Sequence, residues 1–281
     1  SEKHAKKLRR YLENTIFPVI GGQPVTQLEP ADFLQLVQPS ERLGHHETAH
    51  KLMRLCGQVT RYARITGRVK YDVAAGLTEA LTPVQTTHFA AVTLPDDIGQ
   101  LLRDIDAYVG YTSVVYCLKI LPYVFTRPSE LRLAHWSEFD FKNATWVIPA
   151  SRMKMRREHV VPLSKQVLAL LNELHTYTGN GALLFPSARA LTTPISDAAP
   201  LAALRRMGYA KETMTLHGFR AMASTRLNEL GFRADVIEAQ LAHKEPDTVR
   251  LAYNRAEYME ERRQLMQKWA NYLDELRSSK Q

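Results

Sequence analysis

Apolar side chains over the first 85 positions recur at intervals of three and four, the spacing that gathers them on one face of an α-helix. Residues 3–14 set Leu8, Tyr11 and Leu12 on one side, ringed by Lys3, Lys6, Lys7, Arg9 and Arg10. Pro30 suits the first turn of a short second helix, in which Phe33, Leu34 and Val37 turn inward. The strongest pattern spans 47–66, where Leu52, Leu55, Cys56, Val59, Tyr62, Ala63 and Thr66 form a stripe that Gly67 ends. Its other faces carry Lys51, Arg54, Arg61 and Arg64, either a solvated basic face or one turned to a polyanion. Between 79 and 92 the period fades around Pro83 and several threonines, the pattern of a linker. The chain thus divides into a helical domain over 1–85 and a second domain over 86–281.

The second domain opens on Thr93-Leu94-Pro95-Asp96, a capping-box pattern, followed by Ile98, Leu101, Leu102, Ile105 and Tyr108 at helical spacing. The apolar run 114–125, interrupted by Lys119 and Pro122, predicts a buried helix and its exit. Two short β-type runs, 145–148 and 159–163, flank a polar tip carrying Arg152, Lys154, Arg156 and Arg157, which predicts a hairpin. Ser164 is placed to cap a helix reaching about His175. Helices are expected over 217–230, stopped by Gly231, over 233–241, and from Pro246 through Tyr253. The last helix, 259–277, lines up Leu265, Met266, Trp269, Tyr272, Leu273 and Leu276, a stripe to be buried on its own domain or on a neighbouring protomer. The fold class is therefore mainly α with a small antiparallel β-sheet.

Composition adds a partner class. The formal charge is +8 and the pI about 9.4, a balance that favours a polyanion, and the basic residues are clustered. No run approaches the roughly 20 apolar residues of a membrane span, and the polar start, Ser1-Glu2-Lys3-His4, has no signal-peptide core. Lacking an initial Met, the chain reads as a piece of a longer protein. Two cysteines, Cys56 and Cys117, make no disulfide framework and point to a reducing cytoplasm, with Cys56 in a core.

Walker loops, G-x-S-x-G elbows and Cys/His zinc spacings are all missing from the sequence, as is an acidic cluster suited to paired magnesium ions. His45, His46 and His50 lie together without a completing ligand set. Present instead is His217-Gly218-Phe219-Arg220, whose His and Arg are one turn apart on one helix face. Upstream stands Thr126-Arg127-Pro128-Ser129-Glu130-Leu131; downstream come Leu241-Ala242-His243 and Leu251-Ala252-Tyr253-Asn254-Arg255. Phosphodiester transfer needs forked cations to clamp the nonbridging oxygens, a hydroxyl nucleophile, and a proton donor for the leaving 5′-oxygen.

In this order of residues the chain resembles the tyrosine recombinases, and within them the integrases of P4-like phages and genomic islands. Arg127 matches the family's first Arg, Lys154 its hairpin Lys, His217 and Arg220 its His-x-x-Arg box, His243 its fifth position and Tyr253 its nucleophile. The likeness runs from about Ser1 to Leu276, although Phe125-Thr126 departs from the general form ahead of the first Arg. It implies a core-type DNA-binding domain followed by the catalytic domain, with the amino-terminal arm-binding domain lying outside this stretch. It further implies site-specific cleavage and rejoining of double-stranded DNA at core attachment sites through a 3′-phosphotyrosine, integrating or excising a mobile element. No metal, cofactor or ATP is required. Arg127, Arg220 and His243 would hold the phosphate, Lys154 protonate the leaving oxygen, and His217 exchange the Tyr253 proton. The expected partners are a homotetramer on DNA, an excisionase and a DNA-bending host factor, in the cytoplasm at the nucleoid and not at a membrane.

Blander readings exist for each position. Arg127 could serve only an ion pair with Glu130, Lys154 only a nonspecific phosphate contact, and His217 only a helix start. Arg220 could be an exposed helix residue, His243 a packed core residue, and Tyr258 could replace Tyr253. A DNA-binding module without chemistry and a relaxing topoisomerase are the alternative functions. The terminal helix is the candidate for docking on a neighbour.

Overall fold

The computed structural model describes residues 2–85, 90–243 and 258–279, the side chains of 2–4 excepted. The chain forms two compact units, Ser1–Thr87 and His88–Gln281. The expected helix from Pro246 through Tyr253 lies outside the described residues.

In the first unit, helix α1 (Glu2–Tyr11) continues through a π-helical turn (Leu12–Ile16) into the short α2 (Phe17–Ile20). Helix α3 (Pro30–Arg42) follows, then α4 (His46–Ile65) and a 3₁₀ turn (Leu77–Ala80). Glu29 and Asp32 cap α3 reciprocally, the Glu29 amide donating to Asp32 Oδ2 at 2.8 Å. Ile16, Ile20, Phe33, Val37, Leu52, Met53 and Cys56 share one core. The buried face of α4 is narrower than its sequence pattern predicts: Val59 is 50% and Tyr62 59% exposed. The inward row runs through Leu52, Met53, Cys56, Thr60 and Ala63. Thr60, polar and therefore uncounted, is buried because it donates to Asp72 at 2.5 Å, which ties the segment after Gly67 across the helix.

The second unit contains α5 (Pro95–Ala107), α6 (Thr112–Val124), α7 (Pro128–Arg132), α8 (Lys165–Thr178), α9 (Ala198–Arg206), α10 (Gly218–Glu229), α11 (Ala234–Gln240) and α12 (Met259–Ser278). Strands β1 (Phe139–Asp140), β2 (Thr145–Ile148) and β3 (His159–Pro162) form an antiparallel sheet in that order, with Ile148 opposite His159. Strands β4 (Pro186–Ser187) and β5 (Ala190–Pro194) form a separate ladder. The fold class read from the sequence holds, and so does the hairpin. At α5 the expected capping box is not formed: Leu94 occupies the cap position and Pro95 starts the helix. Strands β1, β4 and β5 are too short to carry a period, and α9 is an Ala-rich stretch without a clear apolar stripe.

Helix α12 decides where its apolar stripe goes. Leu265, Met266, Trp269 and Leu273 are buried within the second unit, where α12 packs on α5 and α6. The stripe is therefore consumed in its own unit and is not free to dock on a neighbour. Trp269 donates to the Pro122 carbonyl at 2.9 Å and meets Phe125 edge-on at 6.2 Å. Replacing it with alanine removes this ring and its hydrogen bond together. Trp269→Ala should cost about 3–5 kcal/mol, read as a lowered midpoint in chemical denaturation.

Candidate active site

Arg127 is placed by the residues around it. Helix α6 ends with Phe125 in the left-handed conformation, φ 36°. Pro128 forces the residue before it into extended backbone, so Arg127 sits at φ −63°, ψ 138° as α7 begins. Glu130 then grips it twice: the Arg127 amide donates to Oε2 at 2.9 Å and Nη1 donates to Oε1 at 2.7 Å. The ion pair considered from sequence is real, yet it uses one end of the guanidinium. The other end, Nη2, reaches the Ala242 carbonyl at 3.4 Å.

Arg220 comes from α10 and is buried. Its Nη1 donates to the Phe125 carbonyl at 2.9 Å and Nη2 to the Leu241 carbonyl at 2.7 Å. Burial first, and then the nearby Arg127 guanidinium, push Arg220 down to about 10. It remains charged at neutral pH, so two like charges share the site. It is not an exposed helix residue.

His243 stands beside them, its Nε2 3.1 Å from Arg220 Nη2 and its Nδ1 2.6 Å from Glu238 Oε2. A carboxylate only accepts and a guanidinium only donates, so these partners assign the proton to Nδ1. The side chain is 45% exposed, which excludes a core histidine. Its backbone is set by the end of α11, where the His243 amide bonds to Glu238 O and the Ala242 amide to Ala239 O. That is a Schellman motif. Ala242 fills its left-handed position at φ 49°, whereas glycines fill it after α3, α4, α9 and α10.

His217 stands at the start of α10 without a capping hydrogen bond from its side chain. Burial, then the Arg220 and Arg127 charges, hold its pKa below the usual histidine value. The interactions that lower it place it in the field of both arginines. The His217-Gly218 backbone crosses the segment entering the unit so closely that a Cβ at Gly218 would lie 2.4 Å from the Ala90 carbonyl.

Lys154 is exposed near the hairpin tip. Two residues earlier, Arg152 ties the hairpin to α7: its Nη1 donates to the Glu130 carbonyl at 3.0 Å and its Nη2 pairs with Glu138. The hairpin loop is thus anchored at Arg152 to the residue that grips Arg127, and Lys154 is exposed two residues beyond. The structure brings Arg127, His217, Arg220 and His243 together. Tyr253 lies outside the described residues. Tyr258 stands at the cap of α12 with the Arg233 guanidinium 5.0 Å from its ring centre.

Sequence reading missed the polar layer next to these groups. His159 is buried with Nε2 3.1 Å from the Gln240 carbonyl. Arg262 of α12 is buried as well, its Nε donating to Gln240 Oε1 at 2.9 Å and Nη2 to the Val160 carbonyl at 2.5 Å. The one signal available was a histidine at the mouth of an apolar strand and an arginine on the apolar side of α12. In the first unit, His46 meets Glu41 at 3.1 Å and His50 the Thr82 carbonyl at 2.9 Å, beside an open cleft of about 540 Å³. Those histidines hold the chain leaving the unit.

Two guanidinium groups with adjoining imidazoles, on a helical scaffold, make a site suited to a tetrahedral oxyanion. The model of the phage integrase family matches residues 92–260, and that of the phage integrase central domain matches residues 1–80. The integrase of Enterobacteria phage P4 is 38% identical over 98% of this chain and 66% of its own length. That of Shigella phage Sf6 is 37% identical over 97% of this chain and 70% of its own. The chain belongs to the phage integrase family, and it spans about two thirds of the length of these curated relatives. Among solved structures, a lambda integrase dimer bound to a core site shares the fold at TM-score 0.69 and 15% identity, over 87% of this chain and 89% of that one. A lambda integrase tetramer bound to a Holliday junction aligns at TM-score 0.66 and 14% identity, over 89% of this chain and 74% of that one.

Two outcomes follow from the site's packing. Burial, with Arg262 second, pushes His159 from the ordinary 6.5 to about 3. Below pH 6.5 the unfolded chain therefore binds a proton that the folded chain refuses. This contribution to stability is complete above 6.5 and is lost as pH falls toward 3, at roughly 1.4 kcal/mol per pH unit. His159→Gln should remove that slope when denaturation midpoints are compared between pH 6 and 4.5. Gly218→Ala should destabilise by about 1–3 kcal/mol through overpacking, measured as a lower Tm.

Proposed function

We propose that this chain cleaves and rejoins duplex DNA at a specific core site, with Tyr253 as the nucleophile and Arg127, Lys154, His217, Arg220 and His243 as its catalytic residues. The observation that carries the proposal is the convergence on one place of Arg127, the His217–Arg220 turn and His243, from three separate stretches of chain. Sequence order alone could not guarantee that meeting. Family membership and the integrase relatives support the same reading.

Each group suits its step. Arg127 and Arg220 keep N–H donors for two nonbridging oxygens, and in a site poor in water their charges act strongly on a phosphorane. His243 as it stands presents a lone pair at Nε2. To donate to phosphate it gains a proton there, and Glu238 on Nδ1 supports the imidazolium that results. His217, held neutral by its surroundings, can accept the phenolic proton of Tyr253. Free tyrosine titrates near pH ~10, so a nearby cationic pair favours its phenolate. In-line attack forms the Tyr253–phosphorus bond and breaks the bond to the 5′-oxygen, which takes its proton from Lys154. The 3′-phosphotyrosine keeps the bond energy, and attack by a 5′-hydroxyl of a second strand rejoins the DNA.

The first unit serves as the core-type DNA-binding domain over residues 1–85. Its exposed Arg61, Arg64 and Arg68, beside exposed Tyr62, supply phosphate contacts and an apolar patch. The second unit, 86–281, is the catalytic domain. By analogy with the lambda tetramer, four copies act on paired sites, with an excisionase and a DNA-bending host factor setting direction, in the cytoplasm at the nucleoid.

A nicked suicide duplex bearing the junction of the element that encodes this chain should trap a covalent adduct. Tyr253→Phe should abolish the adduct; its persistence refutes the nucleophile. Arg127→Ala and Arg220→Ala should each slow adduct formation on the order of 10²–10³-fold. A module without chemistry would form no adduct, and a relaxing topoisomerase would relax plasmid lacking the site.

A further inference from the structure

A buried arginine normally faces a carboxylate, because a desolvated charge left alone is costly. Arg262 does not fit that rule. It is 6% exposed, and among the described residues its partners are neutral: the Gln240 side chain and the Val160 carbonyl. Arg220 shares this feature, bonded to the Phe125 and Leu241 carbonyls, but it stands at the active site, where the other groups do have carboxylates. Arg127 has Glu130, and His243 has Glu238.

What Arg262 touches explains its place. Gln240 is the last residue of α11, 1% exposed, and three structures meet in it. Its side chain takes the Arg262 hydrogen bond, its carbonyl takes that of His159, and the next residues are Leu241, Ala242 and His243. The Leu241 carbonyl holds Arg220, the Ala242 carbonyl reaches Arg127, and His243 meets Arg220 directly. Thus one corner of backbone orients both guanidiniums and an imidazole. That corner sits in a strained turn, with Ala242 left-handed, and needs outside support. Arg262 gives it from α12 by a fork that also grips β3, and His159 gives it from β3.

We propose that Arg262, acting through Gln240 together with His159, is a positioning residue that sets the α11 corner and hence the geometry of the Arg127–Arg220–His243 cluster. The inference rests on the proposed strand-cleavage function and extends it to a residue that touches no DNA. It also gives the chain leaving the Tyr253 segment a direct connection to the clamp. The segment 244–257 joins His243 to Tyr258, and Arg262 lies in the first turn of the helix that follows.

The test compares Arg262→Met, Arg262→Lys and Arg127→Ala in the full chain. Methionine preserves volume, and replacing a buried charge with an apolar group of similar size is commonly tolerated. Three quantities are measured: adduct formation on the suicide duplex at saturating protein, gel-shift affinity in a Tyr253→Phe background, and the ¹⁵N signals of the His243 imidazole without DNA. Arg262→Met should form adduct about 100-fold more slowly, with affinity unchanged. The His243 signals should move from the Nδ1–H form toward the mixture of a free imidazole. Arg262→Lys should not rescue, because an ammonium lacks the planar fork that spans Gln240 and Val160.

Wild-type cleavage by Arg262→Met, with Arg127→Ala impaired, overturns the inference and leaves the proposed function standing. Wild-type cleavage by Arg127→Ala overturns the function, and the inference falls with it. A slower Arg262→Met whose His243 signals match the wild type also overturns the positioning role. Should Arg262→Met fail to fold, Arg262→Lys carries the decision: full activity in a folded Lys variant refutes the requirement for a fork.

Discussion

Two guanidinium groups cannot be brought together in a half-dry pocket without something to offset their repulsion. Here the offset is mostly dipolar. Arg220 is met by the carbonyl of Phe125, past the end of α6, and that of Leu241, at the end of α11. Arg127 reaches the Ala242 carbonyl on the same corner. Carbonyls at helix C-termini carry partial negative charge that no amide within the helix satisfies, so they stabilise cations. They do so without a formal negative charge. Among the described residues, Glu130 supplies the one carboxylate in direct contact with an arginine of the pair. The site is therefore held together while staying positive, an imbalance suited to an anion.

The same design accounts for the backbone. To turn a final carbonyl toward Arg220, the chain after α6 must reverse at Phe125; to bring Ala242's carbonyl to Arg127, the chain after α11 must do the same. Both residues accept left-handed φ although each carries a Cβ, at a cost of roughly 1–2 kcal/mol apiece. Phe125 is held by its fully buried ring against Trp269, and the corner at Ala242 by its Schellman hydrogen bonds. Strain sits where the cations need it, and α12 braces both corners: Trp269 at the first and Arg262, through Gln240, next to the second.

Which parts of this were visible in the residues alone has a physical pattern. His217 and Arg220 were legible because a single helix turn joins them, and Arg127 because Pro128 and Glu130 declare a helix start. The α12 stripe was legible as apolar, but its destination depends on α5 and α6, more than 130 positions away by the span of the elements themselves. Arg262, Gln240 and His159 were not legible. Their contacts join positions 22 and 81 apart, and a buried polar side chain in a period of apolar ones reads as an exposed residue. Thr60 misled the reading of α4 for the same reason. Val59 and Tyr62 look as though they belong inside until Asp72 is seen to claim the adjoining face through Thr60.

Since the site is positive and partly desolvated, anion binding and pocket order are linked. A ligand that binds only the assembled arrangement shifts the equilibrium toward it. An anion in the cluster would offset the Arg127–Arg220 repulsion. Glu238 accepts from His243 Nδ1 and so fixes the ring that lies against Arg220. His243 is half exposed, whereas His159 is buried and held neutral by that burial. The two histidines thus differ in place: one faces the arginine pair near the surface, and the other meets the corner from within. The division comes from burial and from the nearest partner, a carboxylate for one and a peptide carbonyl for the other.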